Sequence, residues 1–379
     1  MSIPFIDLQA QRRRLGRRID DAILKVVNHG AYILGPEVQE LETKLAQFCG
    51  ARHCVSCANG TDALALVLMA WGIKPGDAVY VPAFTFVATA EVVAWLGATP
   101  VFVDVLADTF NMDPESLEAA IEATAHMKLT PRAVIPVDLF GQPADYRRLL
   151  PIAERHGLRV LCDTAQGLGA TLDGRHTGTF GDATATSFFP AKPLACYGEG
   201  GAIFTDDDAL AEDLHSLRVH GQGRDKYDNV RIGMNGRLDT IQAAVLIEKL
   251  EIFPDEIAAR QRAADYYSSK LDARHQPPVL MDGATSVWAQ YTIQLDGRDG
   301  VQDACRSGGV PTAIYYPIPL ARQTGYRHYP TVPGGTPVSE ALAHRVLSLP
   351  MHPYLDRETQ DRILALVTSA DSVSAAATG

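Results

Sequence analysis

Residues 133–163, AVIPVDLFGQPADYRRLLPIAERHGLRVLCD, contain the unit that decides the fold. Ala133-Val134-Ile135-Pro136-Val137 is a short apolar run, residues 144–156 have helical spacing, and Arg159-Val160-Leu161-Cys162-Asp163 is a second apolar run ending on a carboxylate. Two such runs joined through one helix read as a crossover, which makes the strands parallel. The same rhythm extends upstream. Strand-like runs fall at Ala78-Val79-Tyr80-Val81 and Pro100-Val101-Phe102-Val103-Asp104, with helical segments at 37–48, 62–71, 88–96 and 114–124. The expectation is an α/β fold, a mostly parallel sheet flanked by helices, with ligand chemistry at the carboxyl ends of the strands.

Downstream, a helix-like stretch at 238–250 runs into Phe253-Pro254, read as a hinge region. Beyond it lie Pro277-Pro278, strand-like Trp288-Ala289-Gln290-Tyr291-Thr292-Ile293 and the aromatic Tyr315-Tyr316-Pro317-Ile318-Pro319. The division expected is a large ligand-binding domain over 1–250 and a smaller C-terminal α+β domain over 251–379.

The totals narrow the function. With 379 residues, 46% hydrophobic and 21% charged, the chain has globular composition and is neither disordered nor fibrous. Lys+Arg 34 against Asp+Glu 45 gives a net charge of −11, which disfavours nucleic acid and anionic membrane as partners. Any anionic ligand therefore needs locally concentrated positive charge. The N-terminus lacks a signal-peptide pattern, and the apolar run at 63–73 is too short to span a bilayer. Six scattered cysteines fit a reduced, cytoplasmic enzyme. No metal is expected, because Cys54-Val55-Ser56-Cys57 lacks a second ligand pair. A dinucleotide fingerprint is absent, since Gly221-Gln222-Gly223 is followed by Lys226 where a third glycine would stand.

Three segments carry chemistry. Asn59-Gly60-Thr61-Asp62 opens a helix, where glycine permits close approach and free N–H groups suit a phosphate; an ordinary capped helix would look the same. Asp163 closes a strand, where a buried carboxylate needs a cation or donors, or serves as a helix cap. Lys192 sits in Ser187-Phe188-Phe189-Pro190-Ala191-Lys192-Pro193-Leu194 ahead of Gly198-Glu199-Gly200-Gly201. A desolvated lysine can form a Schiff base, whereas a surface lysine would snorkel. Together a phosphate cradle, a strand-end Asp and an embedded Lys are what pyridoxal phosphate needs: the Lys forms the aldimine and moves protons, and the Asp keeps the ring nitrogen protonated.

These stretches, with Gly35-Pro36-Glu37, Pro82-Ala83-Phe84-Thr85-Phe86-Val87-Ala88-Thr89, Gly97-Ala98-Thr99-Pro100, Asp163-Thr164-Ala165-Gln166 and Asn235-Gly236-Arg237-Leu238-Asp239, closely resemble the DegT/DnrJ/EryC1/StrS family of pyridoxal-phosphate-dependent nucleotide-sugar aminotransferases. The resemblance implies a fold-type I aminotransferase with a seven-stranded sheet. By position it implies Lys192 as the aldimine lysine, with pyridoxamine phosphate as the intermediate form, and Asp163 as the pyridinium partner. Gln166 falls near the phenolic oxygen and Phe86 on the ring face. Gly60, Thr61 and Ser187 fall on the phosphate, and Asn235 is donated to it by the neighbouring subunit of a homodimer. Ala321 stands where many relatives have His, and Thr164 where many have Ala. Lys192 itself argues for transamination, because dehydratase relatives carry His there.

The resemblance further implies L-glutamate as donor, 2-oxoglutarate as product and a nucleotide-linked keto sugar as acceptor. Residues 215–237 hold Arg218, Arg224, Lys226, Arg231 and Arg237 against Asp225 and Asp228, a basic island suited to an anionic substrate. The run from His220-Gly221-Gln222-Gly223 to Thr240 is similar to the subgroup aminating UDP-linked 2-acetamido-3-keto-hexuronic acids, which serve cell-surface polysaccharide and O-antigen synthesis. A sugar carboxylate would call for arginine, Arg237 first and Arg231 with it, and Tyr315 and Tyr316 resemble residues near the nucleotide sugar. UDP- or dTDP-linked 3-keto and 4-keto deoxyhexoses stay open at this point, as does a non-catalytic sensor.

Overall fold

The computed structural model describes residues 3–377. Its main sheet contains β1 (His53–Cys57), β2 (Asp77–Pro82), β3 (Thr99–Val103), β4 (Thr130–Val134), β5 (Arg159–Asp163), β8 (Ala183–Ser187) and β9 (Gly201–Thr205). A small hairpin, β6 (Thr171–Leu172) with β7 (Arg175–His176), lies between β5 and β8 in the chain. The strand order is β1-β9-β8-β5-β4-β2-β3. Pairing is parallel from β8 through β5, β4 and β2 to β3, and β9 runs antiparallel to both its neighbours. This is the mostly parallel α/β sheet expected from the alternating runs, with the seven strands that the family resemblance implies.

Both faces of the sheet are covered, so its strands alternate between two cores rather than between core and solvent. Along β2, Val79 and Val81 enter one core with Leu64, Leu66 and Val93, while Ala78 and Tyr80 enter the other with Leu117 and Leu149. The first core lies under α4 (Gly60–Ala70), α5 (Ala88–Trp95) and α8 (Asp208–Leu217), the second under α6 (Pro114–Thr124) and α7 (Tyr146–Arg155). On β5, Leu161 belongs to the first core and Cys162 to the second, so the period of two returns Asp163 to the α4–α5 side. N-terminal to these, α1 (Leu8–Leu15), α2 (Arg17–His29) and α3 (Pro36–Cys49) pack toward α9 (Thr240–Leu250).

Phe253-Pro254, the expected hinge region, opens a helix directly after α9 ends. Pro254 occupies the first turn of α10 (Phe253–Lys270), a position that needs no amide hydrogen, and Phe253 is fully buried. Helix α10 bridges two cores, Phe253 joining Leu41 and Leu246, and Ala263, Ala264 and Tyr267 joining Tyr291 and Leu347. The latter core covers the antiparallel pair β10 (Tyr291–Gln294) and β11 (Val346–Leu349). Helices α11 (Arg298–Ser307) and α13 (Arg357–Ala377) enclose it, and α12 (Pro337–Arg345) leads into β11. Among the described residues no helix is long and apolar enough to cross a membrane.

Candidate active site

The carboxyl ends of β1, β2, β5 and β8 open on one edge of the sheet, and register brings the sequence segments together there. Cys57 and Ser187 are both paired to Gly201, so the start of α4 sits beside the end of β8. A Cβ on Gly60 would fall 2.6 Å from the Ser187 Cβ; only glycine lets the helix come this close. Asn59 caps α4, its Oδ1 accepting from the Asp62 amide at 2.8 Å, and the Asn59 carbonyl accepts from Ala63 at 3.1 Å. The Gly60 and Thr61 amides remain without an intrahelical acceptor, at the positive end of the helix and next to the Ser187 hydroxyl. The segment is a capped helix whose first amides remain free for an anion.

Asp163 is 6% exposed. Its Oδ2 accepts from the Thr89 hydroxyl on α5 at 2.9 Å and its Oδ1 from the Ala165 amide at 3.2 Å. Burial raises its pKa, against those two donors and the positive charge of Lys192. Lys192 is its electrostatic counterpart: burial lowers the pKa of the ammonium, and the Asp163 charge opposes that shift. By accessible surface Lys192 is half-buried. The loop carrying Lys192 is tied at its base, Phe188 N–H donating to Gly200 O at 2.7 Å and Cys196 N–H to Phe188 O at 2.8 Å.

Around this pair the remaining residues take definite places. Gln166 is fixed at both ends of its amide: Oε1 accepts from Phe140 N–H at 2.8 Å, and Nε2 donates to the Tyr316 hydroxyl at 3.2 Å. Tyr316 lies 6.1 Å from the Phe84 ring, 6.4 Å from the Phe86 ring and 5.8 Å from the Tyr315 ring. Phe86 itself is 54% exposed, a large apolar ring at the mouth of the site. Thr89 and its bond to Asp163 are missed by sequence reasoning. The only available signal is its position in the first turn of a helix that follows a sheet carboxyl end.

The basic island divides. Arg218 is buried and ion-paired to Glu42 at 2.5 Å, with bonds to Ser56 O at 2.7 Å and Ser56 Oγ at 3.2 Å. Arg231 is exposed and paired with Asp213. Arg218 is thereby committed to internal partners, whereas the Arg231–Asp213 pair lies at the surface. Arg237 is half-buried, and its buried Nε has no partner among the described residues. The segment carrying it runs beside the cradle, Ala58 N–H donating to Gly236 O at 3.1 Å, with Asn235 exposed next to it.

A family model described as the DegT/DnrJ/EryC1/StrS aminotransferase family matches residues 13–368. The chain belongs to that family. A Pseudomonas aeruginosa protein named UDP-2-acetamido-2-deoxy-3-oxo-D-glucuronate aminotransferase is 50% identical over 97% of this chain and 100% of its own length. Among solved structures, a DegT DnrJ EryC1 StrS aminotransferase from Brucella abortus superposes with a TM-score of 0.96 at 55% identity, covering 97% of this chain and 99% of that one. NtdA from Bacillus subtilis with bound cofactor PMP superposes with a TM-score of 0.85 at 27% identity, over 98% of this chain and 85% of that one. The enzyme is thus an aminotransferase.

Proposed function

We propose that this aminotransferase uses pyridoxal phosphate to move an amino group from L-glutamate to C3 of a UDP-linked 2-acetamido-3-keto-hexuronic acid. One observation carries the chemistry: a half-buried lysine lies within electrostatic reach of a buried, doubly hydrogen-bonded carboxylate, near a helix start with unspent amides. The residues suit the cofactor group by group. Gly60 and Thr61 amides with the Ser187 hydroxyl would hold its phosphate, Phe86 would lie on its ring, and Asp163 would keep its ring nitrogen protonated. Gln166, whose Oε1 is already committed to Phe140, has its Nε2 to offer to the phenolic oxygen beside Tyr316. When bound, the cofactor supplies an electron sink for the α-carbon of the amino donor. Lys192 is the proton carrier, because burial lowers the pKa of its ammonium and so favours the neutral amine.

The substrate reading rests on the name of the Pseudomonas aeruginosa relative and on Arg237, a half-buried guanidinium beside the cradle that would meet the sugar carboxylate, with Tyr315 and Tyr316 along the nucleotide sugar. Arg231 contributes only if it leaves Asp213. A cytoplasmic homodimer with shared sites, Asn235 crossing to the partner's phosphate, is part of the same reading. Exposed apolar side chains, including Tyr227, Ile232 and Ile33 (the last bridged to Asp239), would supply a face for it. So is the division at residue 250, and a role in O-antigen sugar synthesis. The test is a panel of nucleotide keto sugars with glutamate, followed by mass spectrometry. Arg237→Ala should lower turnover of a uronic acid far more than of a neutral sugar; equal losses would refute the carboxylate contact. Lys192→Ala should remove the visible band of the yellow protein.

A further inference from the structure

Behind Asp163 lies a second carboxyl that the reaction as described leaves without a role. Asp138 is completely buried and follows the extension of β4 that pairs with the end of β5. The two aspartates share backbone: Asp138 N–H donates to Asp163 O at 2.9 Å, and Asp163 N–H to Pro136 O at 2.9 Å. Their surroundings differ sharply. Asp163 has one donor on each oxygen and Lys192 as a cation. Asp138 has both of its donors on Oδ1, the Tyr146 hydroxyl at 2.7 Å and the Ala144 amide at 2.9 Å, and no partner on Oδ2.

The orphan Oδ2 has a neighbour in the same condition. The Thr164 hydroxyl, close enough to favour the charged form of Asp138, is likewise buried with no hydrogen bond of full geometry among the described residues, and both oxygens border the space left by the missing side chain of Gly167. A Cβ there would lie 3.0 Å from each of them and 2.4 Å from the Asp138 Cβ. A buried carboxyl oxygen with no donor is the natural seat of a proton. The titratable groups around it are Tyr146 on α7 and Cys162 and Asp163 on β5, with Lys192 beyond; the nearest charge is negative. Burial and the Asp163 charge push Asp138 up to about 7, against Tyr146, Ala144 and Thr164, which favour its ionised form.

We propose that Asp138 is a positioning residue which, held protonated on Oδ2 against Thr164, leaves Asp163 as the single negative charge at the floor of the site, and whose ionisation places a second charge behind it. Two adjoining carboxyls with unlike surroundings are thereby split into one ionised and one neutral group. The proposal rests on the cofactor reading above for the consequence that Asp163 transmits.

The test is a spectroscopic titration of the loaded protein from pH 5.5 to 9, paired with melting of the cofactor-free protein. The visible band of the wild type is expected to show an inflection near pH 7. Asp138→Asn, which keeps an acceptor for Tyr146 and a donor for Thr164, abolishes it. Thr164→Val and Tyr146→Phe each remove a donor to the ionised form and move the inflection about one pH unit upward, a tenfold change in proton affinity. In the cofactor-free protein, the wild type loses melting temperature relative to Asp138→Asn as pH rises from 5 to 8. Superimposable titrations together with a pH-independent melting difference overturn the proposal. A colourless wild type sinks the cofactor reading instead, and the melting comparison still decides Asp138.

Discussion

Replacing Gly60 with alanine tests the cradle at its narrowest point. The added Cβ would sit 2.6 Å from the Ser187 Cβ and 3.2 Å from its Cα and Oγ. Ordinary carbon contacts need ~3.5–4 Å, so the first turn of α4 and the end of β8 must separate by about 1 Å. Strain of this kind typically costs about 1–3 kcal/mol, offset by roughly 1 kcal/mol because alanine suits a helix better than glycine. Global stability should therefore fall by no more than ~2 kcal/mol. Ligand affinity should suffer more. A 1 Å displacement takes an N–H to phosphate bond outside its useful range, and a hydrogen bond to a charged group contributes about 1.5–3 kcal/mol. That corresponds to roughly 10- to 150-fold weaker binding of pyridoxal phosphate. The assay is titration of cofactor-free protein followed by visible absorbance, with melting as a fold check. Gly300→Ala in α11 is the control, since a Cβ there meets nothing within 4 Å. Wild-type affinity in Gly60→Ala, or an equal loss in Gly300→Ala, would refute the reasoning.

Three further outcomes follow from buried polar groups. Arg218→Met leaves Glu42 without its cation and should cost about 3–5 kcal/mol in urea unfolding, with part recovered when Glu42→Gln is added. Thr89→Val removes a donor from buried Asp163, and a loss of about 1–3 kcal/mol with an unchanged far-ultraviolet spectrum is expected. His352 is buried with Nε2 unpartnered, and burial followed by the Arg260 charge pushes it from 6.5 down to about 4. Its folded form resists protonation, so its contribution is complete above pH 6.5 and is lost as pH falls toward 4. The loss reaches about 3 kcal/mol, and His352→Gln should flatten this slope in acid unfolding curves.

The parallel half of the sheet is legible because β2, β3 and β5 are rich in valine and leucine and buried on both faces. Strands β1, β8 and β9 are not marked by sequence. Ala183-Thr184-Ala185-Thr186-Ser187 has only small side chains, and its apolar signal is faint. Lys192 and Asp163 could be read because each is odd in its local setting, a lysine among prolines and a carboxylate closing an apolar strand. Thr89 could not, because its role exists only once α5 lies over the end of β5. Arg218 looks like part of a substrate-binding island for the same reason: its partner Glu42 is 176 residues away.

The antiparallel β9 has a consequence for how the enzyme fails when warmed. Because Ser187 and Gly201 are paired, the loop bearing Lys192 leaves and re-enters the sheet through adjacent strands, and its ends cannot drift apart while that pair is intact. Local fraying, which erodes many catalytic loops well below the melting point, has no separate route here. Its amides should exchange with solvent together with β8 and β9, and inactivation by heat should coincide with melting of the sheet rather than precede it.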